Sequence, residues 1–245
     1  MLSPEMTEIL RTLHTEAGPK LYDSWASVLG MDHLALSLTV EGQITEPLWF
    51  SGTTSSSFED LQFTLGEGPG PDALRTGQAT LAHDVAAVDA GRWPALTPAM
   101  AHLPIRAMFC LPLALGGITV GVLTALRSRP GPMTGQEMDD ALGLAAALTL
   151  QFLGGRSAHF DAWVDAQPGG ELHRAVVHQA TGMLSVQLAI PLSKALLRLR
   201  AYAYSHDRSI VDAAEDVVAR RLRLDDDSPD DGDGPDPEPP KEPRG

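Results

Sequence analysis

Residues 105–126 read IRAMFCLPLALGGITVGVLTAL: two apolar runs, Ile105–Leu115 and Ile118–Leu126, on either side of Gly116-Gly117. Runs of this length bounded by turn residues read as strands. A Gly-Gly pair between them is a hairpin signal, because the tight two-residue turns need φ > 0, which glycine adopts without steric cost. Working outward, His33–Val40, Glu46–Ser51 and Ala79–His83 have the same strand character. Helices are expected over about 4–16, with Ser3 as N-cap and Pro4 in the first turn, over 18–29 and over 134–153. In the last, Met138, Ala141, Leu142, Ala145, Leu148, Thr149 and Phe152 recur at helical spacing. An antiparallel sheet flanked by terminal helices is an α+β sandwich.

The glycine-rich Gly66-Glu67-Gly68-Pro69-Gly70 lacks the Gly-Lys-Ser/Thr ending of a phosphate loop, and its proline removes a backbone donor. It reads instead as a turn before a short helix at Pro71–Thr76, over a pocket. No nucleophile-elbow motif is present, and His83-Asp84 at a strand end reads as a structural pair, so no catalytic residue is assigned. Cys110 is the only cysteine, which excludes an intramolecular disulfide; within Met108-Phe109-Cys110-Leu111 it reads as a buried core thiol. The eight histidines show no paired metal spacing, and His173 and His178, five apart, are poorly placed for one ion, so no metal site is expected.

Charge separates the last part of the chain from the rest. Residues 171–224 carry 8 Lys and Arg against 5 Asp and Glu, +3 in a chain of net −14. A basic island in an acidic chain points to an anionic partner, nucleic acid first. Leu172, Ala175, Val176, Ala180, Met183 and Leu184 form one helical stripe; Leu192, Ala195, Leu196, Leu199 and Ala203 form a second after Pro191; Val211, Ala214, Val218 and Leu222 form a third after an N-cap at Ser209. On the second helix Arg200, Tyr204 and Arg208 make one line at i, i+4, i+8, and Lys194, Arg198 and Tyr202 make another. Guanidinium and phenol groups so arranged suit RNA, one neutralising phosphate and both stacking on unpaired bases. Arg220, Arg221 and Arg223 add charge at the end of the third helix, where they also complement its dipole.

The pattern Ala180-Thr181-Gly182-Met183-Leu184, then Ala195, Leu199-Arg200, Ala203, Asp207-Arg208, Ala214 and Val217-Val218, resembles the ANTAR domain. That family's three-helix modules bind RNA and regulate transcription antitermination. The resemblance implies RNA contacts at Ala180, Thr181, Gly182, Lys194, Arg198, Arg200, Tyr204, Arg208, Arg220 and Arg221. The chain departs from the pattern at Thr181, where many members carry Lys. Upstream, GMDHLALSLTV, GEGPGPDALRTGQATLAHDV and RAMFCLPLALGGITVGVLTALRSRPGPMT resemble a GAF domain, a small-molecule-sensing and dimerising module. GAF followed by ANTAR is a known pairing in bacterial regulators. Some GAF domains bind haem, bilin or cyclic nucleotides, and nothing in the sequence selects among them; a single cysteine argues against the sulfoxide reductase chemistry of others.

These readings divide the chain into an N-terminal helix (1–17), a GAF-like domain (18–153), a connector (154–162) with Phe160, an ANTAR-like domain (163–224) beginning at Trp163, and an acidic tail (225–245) expected to be disordered. The tail, −7 in charge, either aids solubility or competes with RNA for the basic helices. The longest apolar run, Ala141–Leu150, is too short to span a bilayer, and the N-terminus carries Glu5 and Glu8 without a signal pattern, so a cytoplasmic protein with no membrane contact is expected. The combined reading is a non-catalytic regulator that binds tandem hairpins in nascent transcripts. It acts as a homodimer built on Leu142, Leu148 and Phe152, with a small-molecule ligand in the GAF-like part. Two other readings remain at this level, a ligand-responsive DNA-binding repressor and a protein-interaction module anchored by Tyr202 and Tyr204.

Overall fold

The computed structural model describes residues 1–13, 19–40, 44–153, 174–206 and 208–224. The connector, the acidic tail, Leu172, His173 and Asp207 lie outside the described residues. Helices α1 (Pro4–Thr12) and α2 (Pro19–Val28) lead into strands β1 (His33–Val40) and β2 (Ile44–Phe50). Helices α3 (Thr53–Leu65) and α4 (Pro69–Thr76) follow, then strand β3 (Thr80–Ala82) and a short helix α5 (Leu96–Ala99). Strands β4 (Ala107–Leu115) and β5 (Ile118–Arg127) and the long helix α6 (Gly135–Leu153) complete this part. The five strands form one sheet in the order β2-β1-β5-β4-β3, every neighbouring pair antiparallel. The expected hairpin is there: Leu115 pairs with Ile118, and Gly116 takes φ +61°.

Because side chains alternate across a strand, the sheet presents two faces. On one face Leu34, Leu36, Phe109, Leu111, Leu113 and Leu123 pack with Met6, Trp25, Leu144 and Leu148 from α1, α2 and α6. Trp25 meets Trp49 edge-on at 6.1 Å between ring centres. Ser3 caps α1, its hydroxyl accepting from the Met6 amide at 3.0 Å, while its own amide donates to Asp140 of α6 at 2.8 Å. Leu148 is 3% exposed, so it belongs to this internal core and corrects the expectation that it faces a second subunit. Leu142 is half exposed and Phe152 packs partly against the core.

The opposite face carries α3 and α4. Helix α3 is absent from the sequence reading, and its composition explains why. It begins Thr-Thr-Ser-Ser-Ser, and its buried positions are Ser55, Phe58, Glu59, Gln62 and Phe63. A buried face that is half polar gives no apolar periodicity to read.

The last three helices, α7 (Ala175–Gln187), α8 (Leu192–Ser205) and α9 (Ile210–Val218), share a core of Val177, Ala180, Leu184, Ala195, Leu199, Ala203, Ile210, Ala214 and Val217. Ser209 caps α9 by accepting from the Asp212 amide at 3.0 Å, as its position suggested. Leu192 is 42% exposed, which corrects its assignment to the buried face of α8. Between α7 and α8 the chain bends by 111°. Ala189 there takes the left-handed conformation (φ +51°), and the Ile190 amide reaches back to the Ser185 carbonyl at 3.1 Å. Among the described residues no single helix is long and apolar enough to cross a membrane.

Candidate functional site

The core of the helical bundle includes one residue from outside it, Phe63 of α3. Two arginines from the bundle stack on that ring. The Arg174 guanidinium lies 3.7 Å from its centre and that of Arg200 lies 5.1 Å away. Such cation–π contacts gain strength where water is excluded.

Arg174 is 1% exposed and held from several sides. Its amide donates to Glu46 of β2 at 3.2 Å, and its Nη2 donates to the Glu59 carbonyl at 3.1 Å and to the Asp60 carboxylate at 3.2 Å. Burial pulls the Arg174 pKa down, and the charges of Asp60 and Glu59 oppose that shift. His178 of α7 contacts the Glu46 carboxylate. The bundle is thus seated on α3 and β2 by charged hydrogen bonds.

Beneath this seat is a cavity of about 510 Å³ between the sheet and α3 and α4, bordered by Ser37, Glu59, Gln62, Gly66, Arg75 and Arg200. The glycine-rich turn shapes its rim, as the sequence suggested: Gly66 takes φ +70°, and a side-chain carbon there would come within 3.0 Å of Arg200 Nη1. Gln62 accepts from the Gly70 amide at 2.8 Å and donates to Glu59 at 3.1 Å, tying the start of α4 to α3. The Ser37 hydroxyl also donates to Glu59, at 3.2 Å. Burial raises the Glu59 pKa above the usual carboxylate range, against the lowering effect of the Thr124 hydroxyl and Arg174.

Arg200 differs from Arg174. Burial, with the nearby Arg174 charge, lowers its pKa to about 10. Its Nε is buried without a hydrogen-bond partner among the described residues.

The RNA residues implied by the resemblance fall into distinct environments. Ala180 and Thr181 are buried at 0% and 1% exposure, so they pack the bundle instead of touching a ligand. The Thr181 hydroxyl donates to the Val177 carbonyl at 2.7 Å. Arg200 borders the cavity under α3 and α4, which corrects its placement on an RNA-facing line. Lys194 and Tyr204 are exposed and Arg198 is half-buried. Arg208 and Arg221 both pair with Asp216 at 2.7 Å, and these two hydrogen bonds hold the Asp216 carboxyl below its usual range. Gly182 and Arg220 border one surface groove of about 490 Å³, together with Arg223. Cys110 is buried, and burial pushes its thiol pKa up, with the Glu59 charge adding to the shift. The His83 ring lies tilted beside Phe109, 6.0 Å between ring centres, while Asp84 accepts from the Ala86 amide at 3.0 Å and closes a turn. Among the described residues no three His, Cys, Asp or Glu side chains converge on a metal position.

An antiparallel five-stranded sheet with helices on both faces, and a pocket under α3 and α4, defines a sensor-type α+β domain. The family model for the GAF domain matches residues 3–151, and the chain belongs to that family. The match takes in α1, so the helix set apart at 1–17 is part of the domain. Among solved structures, the GAF domain of a phosphoenolpyruvate-protein phosphotransferase from Acinetobacter is similar at 12% identity, covering 62% of this chain and 96% of its own, with a TM-score of 0.47. The corresponding domain from Coxiella burnetii is similar at 16% identity, with the same coverages and TM-score. The free methionine-R-sulfoxide reductase from Neisseria meningitidis, in complex with its substrate, is similar at 17% identity, covering 62% of this chain and 89% of its own, with a TM-score of 0.46. No curated protein matches the chain.

Proposed function

We propose that this chain is a non-catalytic cytoplasmic regulator of transcription antitermination, in which the GAF domain senses a signal and the three C-terminal helices bind paired RNA stem-loops. The observation that carries the reading is the basic and aromatic surface left on the bundle after its arginines are sorted. Lys194, Tyr204 and Arg220 are exposed in the one positively charged part of an acidic chain.

Arg220 adds a second kind of support. It sits just past α9 at φ +58°, a conformation that costs a non-glycine residue about 1 kcal/mol or more. An arginine kept where glycine would be unstrained suggests a use for its side chain, here beside Gly182 on the groove. A helix-turn-helix repressor would gather its polar readers at one end of a recognition helix. Lys194 and Tyr204 instead lie near opposite ends of α8. Two hairpins call for two modules, and α6 offers Leu142, Leu150 and Leu153, exposed at 50%, 60% and 37%, as a pairing surface.

Ultraviolet crosslinking of the full-length protein to labelled tandem-hairpin RNA tests the reading. Crosslinked peptides containing Tyr204 or Arg220 are expected. Crosslinks confined to the GAF domain, or none, would overturn it.

A further inference from the structure

Arg200 belongs to the bundle by sequence and to the sensor pocket by position. Its guanidinium borders the cavity, lies over Phe63 and packs against Gly66. Yet among the described residues it has no carboxylate partner, unlike Arg174 one helix away, which has Asp60. A cation partly withdrawn from water and left without a carboxylate is costly, and an anion is the natural complement. Arg75, on α4 at the same cavity, adds a second positive group, although it is also paired with Asp72 at 2.8 Å. Among the described residues that line the cavity the one carboxylate, Glu59, is engaged by Ser37 and Gln62.

We infer that the cavity takes a small carboxylate- or phosphate-bearing molecule whose anionic group pairs with Arg200, so that the ligand is clasped between the GAF domain and the C-terminal helices. The inference rests on the sensing half of the proposed function and not on its RNA half. Its consequence is mechanical: the ligand completes a contact between the two parts of the chain. Occupancy therefore favours the docked arrangement and keeps Arg200 turned away from other partners.

Hydrogen exchange of the full-length protein tests this, with inorganic phosphate, succinate or adenosine monophosphate added and adenosine as the neutral control. At least one anion is expected to slow amide exchange in α3 and α4 and, together with them, in α8. Adenosine should do neither. Arg200→Gln should weaken that anion's apparent Kd by about tenfold or more, the loss of one charge-assisted hydrogen bond, and Arg200→Lys should restore part of it. Melting of each ligand-free variant shows that it folds. Protection limited to α3 and α4, or full affinity in Arg200→Gln, would overturn the clasp while leaving a sensor pocket. No response to any of the three anions would overturn the anionic class. None of these failures touches the RNA reading, which is scored with RNA.

Discussion

On one face of the sheet, Leu34, Phe109, Leu111 and Leu123 close against α1, α2 and α6 as an apolar core. On the other, Ser37 and Thr124 stand where apolar residues would complete the packing, Glu59 and Gln62 come down from α3, and a cavity remains. The same alternation of side chains builds both faces, so the difference lies in what each was given to bury. The first face supplies stability. The second gives up packing for polar groups arranged around an opening, and there the C-terminal helices dock.

Substitutions on the two faces should therefore separate. The largest effect is expected from Phe109→Ala on the closed face, about 3–5 kcal/mol of unfolding free energy by urea denaturation. A loss under 1 kcal/mol, on the order of a surface change, would mean that this face is not the stabilising one. Next is Arg174→Ala at the docking seat, which removes the buried guanidinium's contacts with Asp60 and the Glu59 carbonyl and should cost about 2 kcal/mol or more, with faster amide exchange in α7 and α8. Arg200→Met should behave oppositely in the ligand-free protein. Replacing a half-buried cation that has no carboxylate partner among the described residues by an apolar side chain of similar length should leave stability unchanged or raise it by about 1 kcal/mol. Equal losses for both arginines would erase the distinction drawn between them. Arg220→Gly should stabilise by about 1 kcal/mol through relief of its left-handed backbone, yet weaken RNA binding.

The smallest effect concerns pH. Burial holds the folded-state pKa of Glu59 above its unfolded value. Its contribution to stability is then full below the ordinary carboxylate pKa and lost as pH rises through the raised folded-state value. Glu59→Gln should flatten that stretch of a pH series of urea midpoints. An unaltered slope would contradict the burial account.

The closed face was legible in the sequence because its physics is local: apolar runs, the Gly116-Gly117 turn and the Ser3 cap each announce themselves within a few residues. The three C-terminal helices were legible for the same reason. The pocket face was not. Helix α3 starts with serines and threonines and buries Glu59 and Gln62, so neither propensity nor periodicity reveals it. Arg200 shares a regular i, i+4 line with Tyr204, and spacing alone cannot tell an arginine that faces solvent from one that faces Phe63, 137 positions earlier in the chain. Ala180 and Thr181 show the converse: a motif that resembles a contact surface is largely interior packing.

Binding of the full-length protein to labelled tandem-hairpin RNA, beside duplex DNA of equal length and across a salt series, tests the central claim most directly. The account predicts preference for the hairpins, affinity that falls as salt rises, and weaker binding by Lys194→Ala. Equal or tighter binding to the duplex, or no retention of RNA at low salt, would contradict it.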